Sequence, residues 1–295
     1  MPDFSQLLSQ LVAQPWLFYP TLAIFSLCVG SFLNVVILRL PRMMEQQWRC
    51  DCEELLEVPE GQRTDPKRFD LSFPGSHCPK CDHALRVRDN IPLFSYLFLK
   101  GRCAHCSAPI PVRYPIVEGM TLVLSLVTVV TLGPTLTTLA TLLLVWSLIA
   151  LAVIDLDTQL LPDSITLPLI WAGLLFNYFA GLVPFDTAFW GAVAGYLSLW
   201  GVYHLFRILT GKHGMGYGDF KLLAALGAWL GWTMLPAIIL LSSLVGAVVG
   251  ISLILFRGQG RDVPIPFGPY LAAAGLLTLW WGTELQIFWY RLLGF

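Results

Sequence analysis

Charged residues are scarce in this sequence. Only 13% of its 295 residues are Asp, Glu, Lys or Arg, whereas 56% are hydrophobic. A soluble domain of this length would carry about 25% charged residues. The shortage argues against one large soluble domain, and the long uncharged runs are typical of transmembrane helices, which need roughly 20 apolar residues each.

The uncharged runs predict an all-α polytopic membrane protein with about eight transmembrane helices. We place the spans at about 17–38, 115–133, 135–154, 164–183, 187–206, 219–231, 233–256 and 267–290. The sixth span is short and rich in glycine. It therefore fits a helix that is partly re-entrant or buried in protein.

Basic residues are missing before the first span and plentiful after it. No Lys or Arg precedes the span, and its apolar stretch is too long for a cleaved signal peptide. If 39–114 is cytoplasmic, cytoplasmic segments hold 17 of the 18 Lys and Arg residues, 12 of them in 39–114. The positive-inside rule then places the N-terminus outside. We therefore divide the chain into a first transmembrane helix (1–38), a cytoplasmic insert (39–114) and a membrane domain (115–295).

The cysteines are concentrated in the predicted insert, which holds six of the seven. Four of them form two C-x-x-C pairs separated by 21 residues: Cys78, Cys81, Cys103 and Cys106. Two such pairs can complete a closed tetrahedral zinc site, which would stabilise a segment too small for a large core. Disulfides are the alternative, but a reducing compartment disfavours them. Cys50 and Cys52 lie in an acidic stretch and receive no assignment.

Two aspartates lie at the ends of apolar runs, where ionisable residues are costly and often functional. Asp155 ends one run, and Asp219 begins another after Gly216 and Gly218. A carboxylate pair can hydrolyse a peptide bond, because one ionised group activates water while the other, protonated, polarises the carbonyl. Glycine at 216 and 218 would let another backbone approach Asp219. Interfacial helix caps are the simpler alternative.

At this point the sequence resembles the bacterial type IV prepilin peptidases, which are bifunctional leader peptidases and N-methyltransferases. The resemblance covers nearly the whole chain. Besides the two C-x-x-C pairs, it rests on the segments Gly30–Ile37, Asn90–Tyr96, Arg113–Glu118, Asp155–Asp163 and Gly216–Asp219.

The resemblance implies a function and a location. Asp155 and Asp219 would be the catalytic aspartates, supported by Gly216 and Gly218. The substrates would be type IV prepilins and type II secretion pseudopilins, whose short basic leader is removed after a glycine. The new N-terminus would then be methylated from S-adenosylmethionine. The enzyme would lie in the bacterial inner membrane, with its zinc insert and active site on the cytoplasmic side and no nucleic-acid partner.

Three other functions remain open on the residues alone. A peptidase-only intramembrane aspartyl protease would share the aspartates but would not need a zinc insert. A cation-coupled transporter would place its carboxylates near the middle of the membrane. A membrane anchor that binds a partner through its zinc knuckles would tolerate the loss of both aspartates.

The charge distribution gives a direct test of topology. We expect reporter fusions near residues 85 and 213 to report the cytoplasm, and fusions near 133 and 184 to report the opposite side, because Lys and Arg are retained in the cytoplasm. A periplasmic signal at residue 85 would reverse the orientation.

Overall fold

The computed structural model describes residues 10, 12–59, 68–212, 214–257 and 265–293. Their secondary structure is helical apart from two isolated β-bridges, His77–Ala84 and Arg102–Pro109. In chain order the helices are α1 (Pro15–Leu55), α2 (Phe94–Phe98), α3 (Arg113–Leu132), α4 (Leu136–Thr158), α5 (Asp163–Phe179), α6 (Phe185–Thr210), α7 (Tyr217–Leu230), α8 (Leu235–Arg257) and α9 (Gly268–Leu293). Short 3-10 helices cover Val87–Asn90 and Trp232–Met234.

Five segments of the described chain are long and apolar enough to cross a membrane. They are α1, α3, α4, α6 and Trp232–Phe256, which contains most of α8. The helical membrane architecture is thus confirmed, whereas the number of eight spans stays a prediction. Helices α5 and α7 are short for a span, with 17 and 14 residues.

Helix α1 continues well past the predicted end of the first span. It ends at Leu55 instead of near residue 38, so it includes the beginning of the predicted insert. The added segment is rich in Met, Glu, Gln and Arg, which favour helix, and it contains no glycine. Cys50 and Cys52 consequently lie on this helix, half-buried and exposed respectively.

The chain divides into two compact units, Met1–Val127 and Thr128–Phe295. In the first, α1 and α3 approach closely at Gly30, where a Cβ atom would lie 2.9 Å from the Cα of Glu118. Asn34 donates a hydrogen bond to the carbonyl of Tyr114 at 3.1 Å. The Arg39 guanidinium donates to the carbonyls of residues 70, 71 and 74. These bonds connect α1 to α3 and to the segment before the cysteines.

Helix α7 lies at the centre of the second unit. Its residues from Leu222 to Leu230 are all buried. A Cβ atom at Gly191 of α6 would collide with the carbonyl oxygen of Gly227, and one at Gly195 would lie 2.6 Å from the carbonyl oxygen of Leu223. Small residues at such positions let helices pack backbone to backbone, which is how helices associate within membranes.

Polar groups at the far end of α7 are satisfied by α5. The side-chain amide of Asn177 donates to the carbonyls of Ala228 and Trp229, at 2.8 and 3.1 Å. The indole N–H of Trp229 donates to the carbonyl of Leu169 at 2.9 Å. The last carbonyls of a helix have no partner within it, so Asn177 caps α7 from a neighbouring helix.

The close approach of α6 and α7 predicts a position-specific cost. We expect Gly191→Ala to lower the free energy of unfolding by roughly 1–3 kcal/mol, because the added methyl group meets backbone that cannot yield easily. Gly201→Ala is the matched control on the same helix, because a Cβ atom there meets nothing within 4 Å. Thermal unfolding in detergent would measure both. Equal midpoints for the two variants would contradict the packing.

Candidate active site and metal centre

Two helix ends carry the aspartates of interest. Asp155 lies in the last turn of α4 and Asp219 in the first turn of α7. Helix α4 stops at Gln159, which adopts a left-handed conformation (φ 55°) and donates its backbone N–H to the carbonyl of Asp155 at 2.9 Å. Gly216 is the N-cap of α7. The two carboxylates therefore come from opposite ends of different helices.

Both aspartates line one cavity of about 410 Å³. They are buried, with 5% of Asp155 and 6% of Asp219 exposed. Among the described residues, the cavity is also lined by Gln159, Leu161, Gly214, Met215, Gly216, Gly218, Ile265, Pro266 and Phe267. The structure thus brings together the two aspartates that the sequence singled out, in a space large enough for a small peptide segment.

A backbone group holds Asp155 in place. The N–H of Gly268 donates to Oδ2 of Asp155 at 2.9 Å. A Cβ atom at residue 268 would lie 2.7 Å from that oxygen and 3.1 Å from Leu161, so only glycine fits without a shift. Gly268 and the lining residues just before it were not anticipated. The sequence signal that could have revealed them is a Phe-Gly pair flanked by prolines at 266 and 269, directly before an apolar helix.

Asp219, which lines the cavity, carries a buried acceptor atom. Its Oδ1 atom is buried and has no hydrogen-bond partner among the residues that the structure describes. A buried polar atom without a partner costs about 1–3 kcal/mol. Such an atom is suited to accept a hydrogen bond from a group that enters the site.

The two glycines before Asp219 differ in their surroundings. A Cβ atom at Gly218 would lie 2.6 Å from Leu161, which belongs to the loop after α4. At Gly216 the nearest atom would be Oδ2 of Asp219, at an ordinary 3.6 Å. The close approach at Gly218 is therefore made by a side chain of the same chain, which brings the loop after α4 against the start of α7.

An ion pair also joins the segments around the cavity. Lys221 of α7 contacts both carboxylate oxygens of Asp163, the first residue of α5, at 2.6 and 2.7 Å. The Asp163 side chain is 56% exposed, so the pair contributes at most about 1 kcal/mol. Its effect is to connect the start of α5 to α7 two residues beyond Asp219.

The four predicted zinc ligands lie together in the first unit. The sulfur atoms of Cys78, Cys81, Cys103 and Cys106 all lie within 4.8 Å of one another. The Sγ atoms of Cys78 and Cys106 are 3.8 Å apart. Tetrahedral zinc with Zn–S bonds of about 2.3 Å needs sulfur atoms about 3.8 Å apart. The four thiols could therefore hold such an ion with little rearrangement.

The two cysteine pairs have the same local structure. In the first pair, the N–H of Asp82 donates to the carbonyl of Cys78, and in the second the N–H of Ser107 donates to that of Cys103. Asp82 and Ser107 both have positive φ angles, 52° and 55°. A left-handed residue directly after each second cysteine closes the turn, so that both thiols of a pair face the same point.

Backbone N–H groups in these turns favour the thiolate form of the first cysteine of each pair, Cys78 and Cys103. At Cys81, a hydrogen bond from the N–H of His83 is outweighed by burial and by the thiols of Cys106 and Cys78, which raise the pKa to about 12. Hydrogen bonds from the N–H groups of Lys80 and Cys81 lower the pKa of the Cys78 thiol to about 7. The N–H groups of Cys106 and His105 similarly lower the pKa of Cys103. Metal ions bind the thiolate form, so this arrangement suits a cation.

Comparison with known proteins identifies two family domains in the chain. The Bacterial Peptidase A24 N-terminal domain matches residues 24–132, and the Type IV leader peptidase family matches residues 142–251. No solved structure matches the chain.

Curated relatives extend over nearly the whole chain. The prepilin leader peptidase/N-methyltransferase of Aeromonas salmonicida is 55% identical over 94% of both chains. The proteins of the same name from Pseudomonas putida and Pseudomonas aeruginosa are 50% and 49% identical, over 97% and 98% of this chain and 98% and 99% of their own. The resemblance found in the sequence is thereby confirmed, and the chain belongs to the type IV leader peptidase family.

Proposed function

We propose that this protein is a membrane aspartic endopeptidase that removes the leader of type IV prepilins and then N-methylates the new N-terminal residue. The observation that carries the peptidase assignment is the single cavity shared by Asp155 and Asp219. Membership of the type IV leader peptidase family supports the same reaction. The names of the relatives support prepilins as substrates and methylation as the second activity.

The two carboxylates divide the chemistry of hydrolysis. Two like charges in one small cavity cannot both be ionised easily, so the pair shares one proton. The ionised member removes a proton from water, and the water oxygen attacks the carbonyl carbon of the scissile bond. The protonated member donates to the carbonyl oxygen. When the C–N bond breaks, the proton taken from water passes to the leaving amine.

Backbone contacts prepare the carboxylates for these roles. The hydrogen bond from Gly268 occupies Oδ2 of Asp155 and restrains that side chain, leaving Oδ1 for water or substrate. Asp219 lines the same cavity, and its buried Oδ1 has no hydrogen-bond partner among the described residues. Groups held rigidly in advance lose less freedom when the transition state forms, which is a large part of enzymatic rate enhancement.

We place the active site at the cytoplasmic edge of the bacterial inner membrane. The supports are the distribution of Lys and Arg and the positions of Asp155 and Asp219 in terminal turns of apolar helices. Eight spans, an outside N-terminus and the division into 1–38, 39–114 and 115–295 belong to this proposal. A site at this edge is reachable by a leader that stays in the cytoplasm. Pseudopilins would be cut in the same way.

We assign Zn²⁺ to Cys78, Cys81, Cys103 and Cys106. Four thiolates fill a tetrahedral ion completely, so the metal would be structural and would supply folding energy to the insert. Methyl transfer from S-adenosylmethionine is proposed from the relatives' names, and we assign it no residues.

The alternatives are less well supported. A cation-coupled transporter would need carboxylates near the middle of a span, whereas Asp155 and Asp219 lie in terminal turns. A peptidase without methyltransferase activity would not share the bifunctional name of the relatives and would not need the four-cysteine cluster.

Loss of either aspartate tests the peptidase. We expect Asp155→Asn and Asp219→Asn each to lower the rate of prepilin cleavage by about 10²–10⁴-fold or more, because an amide can neither take a proton from water nor share one. Methylation of a pre-cleaved pilin should persist. The assay is incubation with prepilin in detergent, followed by mass spectrometry of the pilin N-terminus.

Asp186→Asn is the matched control. Asp186 is an exposed residue in the first turn of α6 and does not line the cavity. Cleavage should therefore be unchanged in this variant. Full activity in either Asp155→Asn or Asp219→Asn would rule out the aspartic mechanism.

The metal assignment predicts selective loss of zinc. We expect about one zinc ion per chain in the wild type and none in Cys78→Ser/Cys106→Ser, together with a lower unfolding temperature. Cys50→Ser/Cys52→Ser is the matched control and should keep its zinc, since neither residue belongs to the sulfur cluster. If purified wild-type protein contains no zinc, the assignment is refuted.

A further inference from the structure

The predicted insert carries an exposed apolar cluster. Ile91 and three residues of the short helix α2 are 46–83% exposed: Phe94 at 54%, Leu97 at 70%, Phe98 at 83% and Ile91 at 46%. Phe94, Leu97 and Phe98 are spaced i, i+3 and i+4 on α2, so they share one helix face. Large apolar side chains on one exposed face usually mark a site of interaction with another molecule or with a membrane. We call these four residues the interfacial patch.

A hydrogen bond fixes the level of the patch along the membrane helices. The N–H of Leu93 donates to Oε2 of Glu118 at 2.8 Å. Glu118 is buried and lies five residues after Arg113, the first residue of α3, which is about 7.5 Å along the helix axis. Leu93 therefore lies beside the first two turns of α3 and not above its end.

Helix α1 independently indicates the same position of the patch along the membrane helices. Gly30, whose Cβ would lie 2.9 Å from the Cα of Glu118, is nine residues before Arg39, or about 13 Å along α1. No charged residue precedes Arg39 in this helix. The segment that holds the patch is thus attached to a part of α1 that is already apolar, well inside its charged end.

The patch is flanked by exposed basic residues. Arg88 lies before it, and Lys100 and Arg102 follow it. Asp89, the acidic residue nearest to the patch in sequence, is 3.7 Å from Arg88. Apolar side chains bordered by Lys and Arg are typical of segments that lie in the polar boundary of a bilayer containing anionic lipids.

The patch is held rigidly against the second cysteine pair. The N–H of Gly101 donates to the carbonyl of Tyr96 at 2.9 Å, and the carbonyl of Gly101 accepts from Ile110 at 2.8 Å. Gly101 has a φ of 69°, and a Cβ there would lie 2.9 Å from the hydroxyl oxygen of Tyr96. Helix α2 is therefore fixed at both ends, by Glu118 before it and by the cysteine knuckle after it.

We propose that Ile91, Phe94, Leu97 and Phe98 form a lipid-docking surface that enters the headgroup boundary of the bilayer beside α1 and α3, with anionic phospholipid as its partner. The surface lies on the side that the charge distribution assigns to the cytoplasm. It would hold the cysteine cluster close to the membrane. A substrate helix is the competing occupant, but the level of the patch and the flanking cations favour lipid.

Photo-crosslinking of the unmodified protein tests this surface. The full chain is reconstituted into nanodiscs with phosphatidylcholine that carries a diazirine near the glycerol end of one acyl chain. After irradiation, trypsin releases residues 89–100, which contain the whole patch, and residues 50–63, which contain Leu55 and Leu56. Leu55 and Leu56 serve as the comparison because they are also highly exposed, at 83% and 77%. Leu55 lies about 24 Å beyond Arg39 along α1, outside the apolar part of that helix.

We expect several-fold more lipid adduct on residues 89–100 than on residues 50–63. Equal labelling of the two peptides would overturn the proposal, because exposure alone would then explain the reaction. Labelling of residues 89–100 by a diazirine-bearing prepilin but not by lipid would also overturn it and would identify a protein-docking surface.

A separate measurement tests whether the patch prefers anionic phospholipid. Adding phosphatidylglycerol should raise labelling of residues 89–100 in the wild type, and Lys100→Gln/Arg102→Gln should lose most of this increase. The variant lacks the cleavage sites after residues 100 and 102, so its patch is followed on the tryptic peptide 89–113. No response to phosphatidylglycerol in the wild type would refute the anionic partner. Zinc content and the unfolding temperature of the variant would confirm that it is folded.

Discussion

Close backbone packing around α7 is the constraint on which the second unit depends. An apolar helix gains little from hydrophobic burial in a membrane, so contact between helices must come from close packing. The glycine pair Gly191 and Gly227 permits that contact between α6 and α7, and Asn177 satisfies carbonyls at the end of α7. Because the far end and one face of α7 are fixed, the first turn of this helix holds Asp219 at a defined place.

The cavity that both aspartates line forms where three chain segments end or begin. Helix α4 supplies Asp155, α7 supplies Asp219, and the residues before α9 supply the N–H of Gly268. Leu161 packs between the glycines at 218 and 268, so one side chain separates the backbones of the two other segments. Small residues at these points allow carboxylates and backbone to come close without disturbing the helices behind them.

Residue type explains what could be predicted from the sequence. Asp155, Asp219 and the four clustered cysteines were identifiable because charged residues in apolar runs and paired thiols are rarely placed without a chemical reason. The role of Gly268 was not, because a backbone N–H has no sequence signature and its partner lies 113 positions away. The length of α1 was missed because helix propensity continues where hydrophobicity ends.

Interdependence of Asp155 and Asp219 is the central claim of the proposed mechanism, and single-turnover cleavage of prepilin by a double-mutant series tests it most directly. The series comprises Asp155→Asn, Asp219→Asn and the double variant, each checked for folding. Residues that act as one unit show strongly non-additive losses. We predict that the double variant is no slower than the slower single variant. Losses that multiply would show that the two aspartates act independently and would contradict a shared catalytic pair.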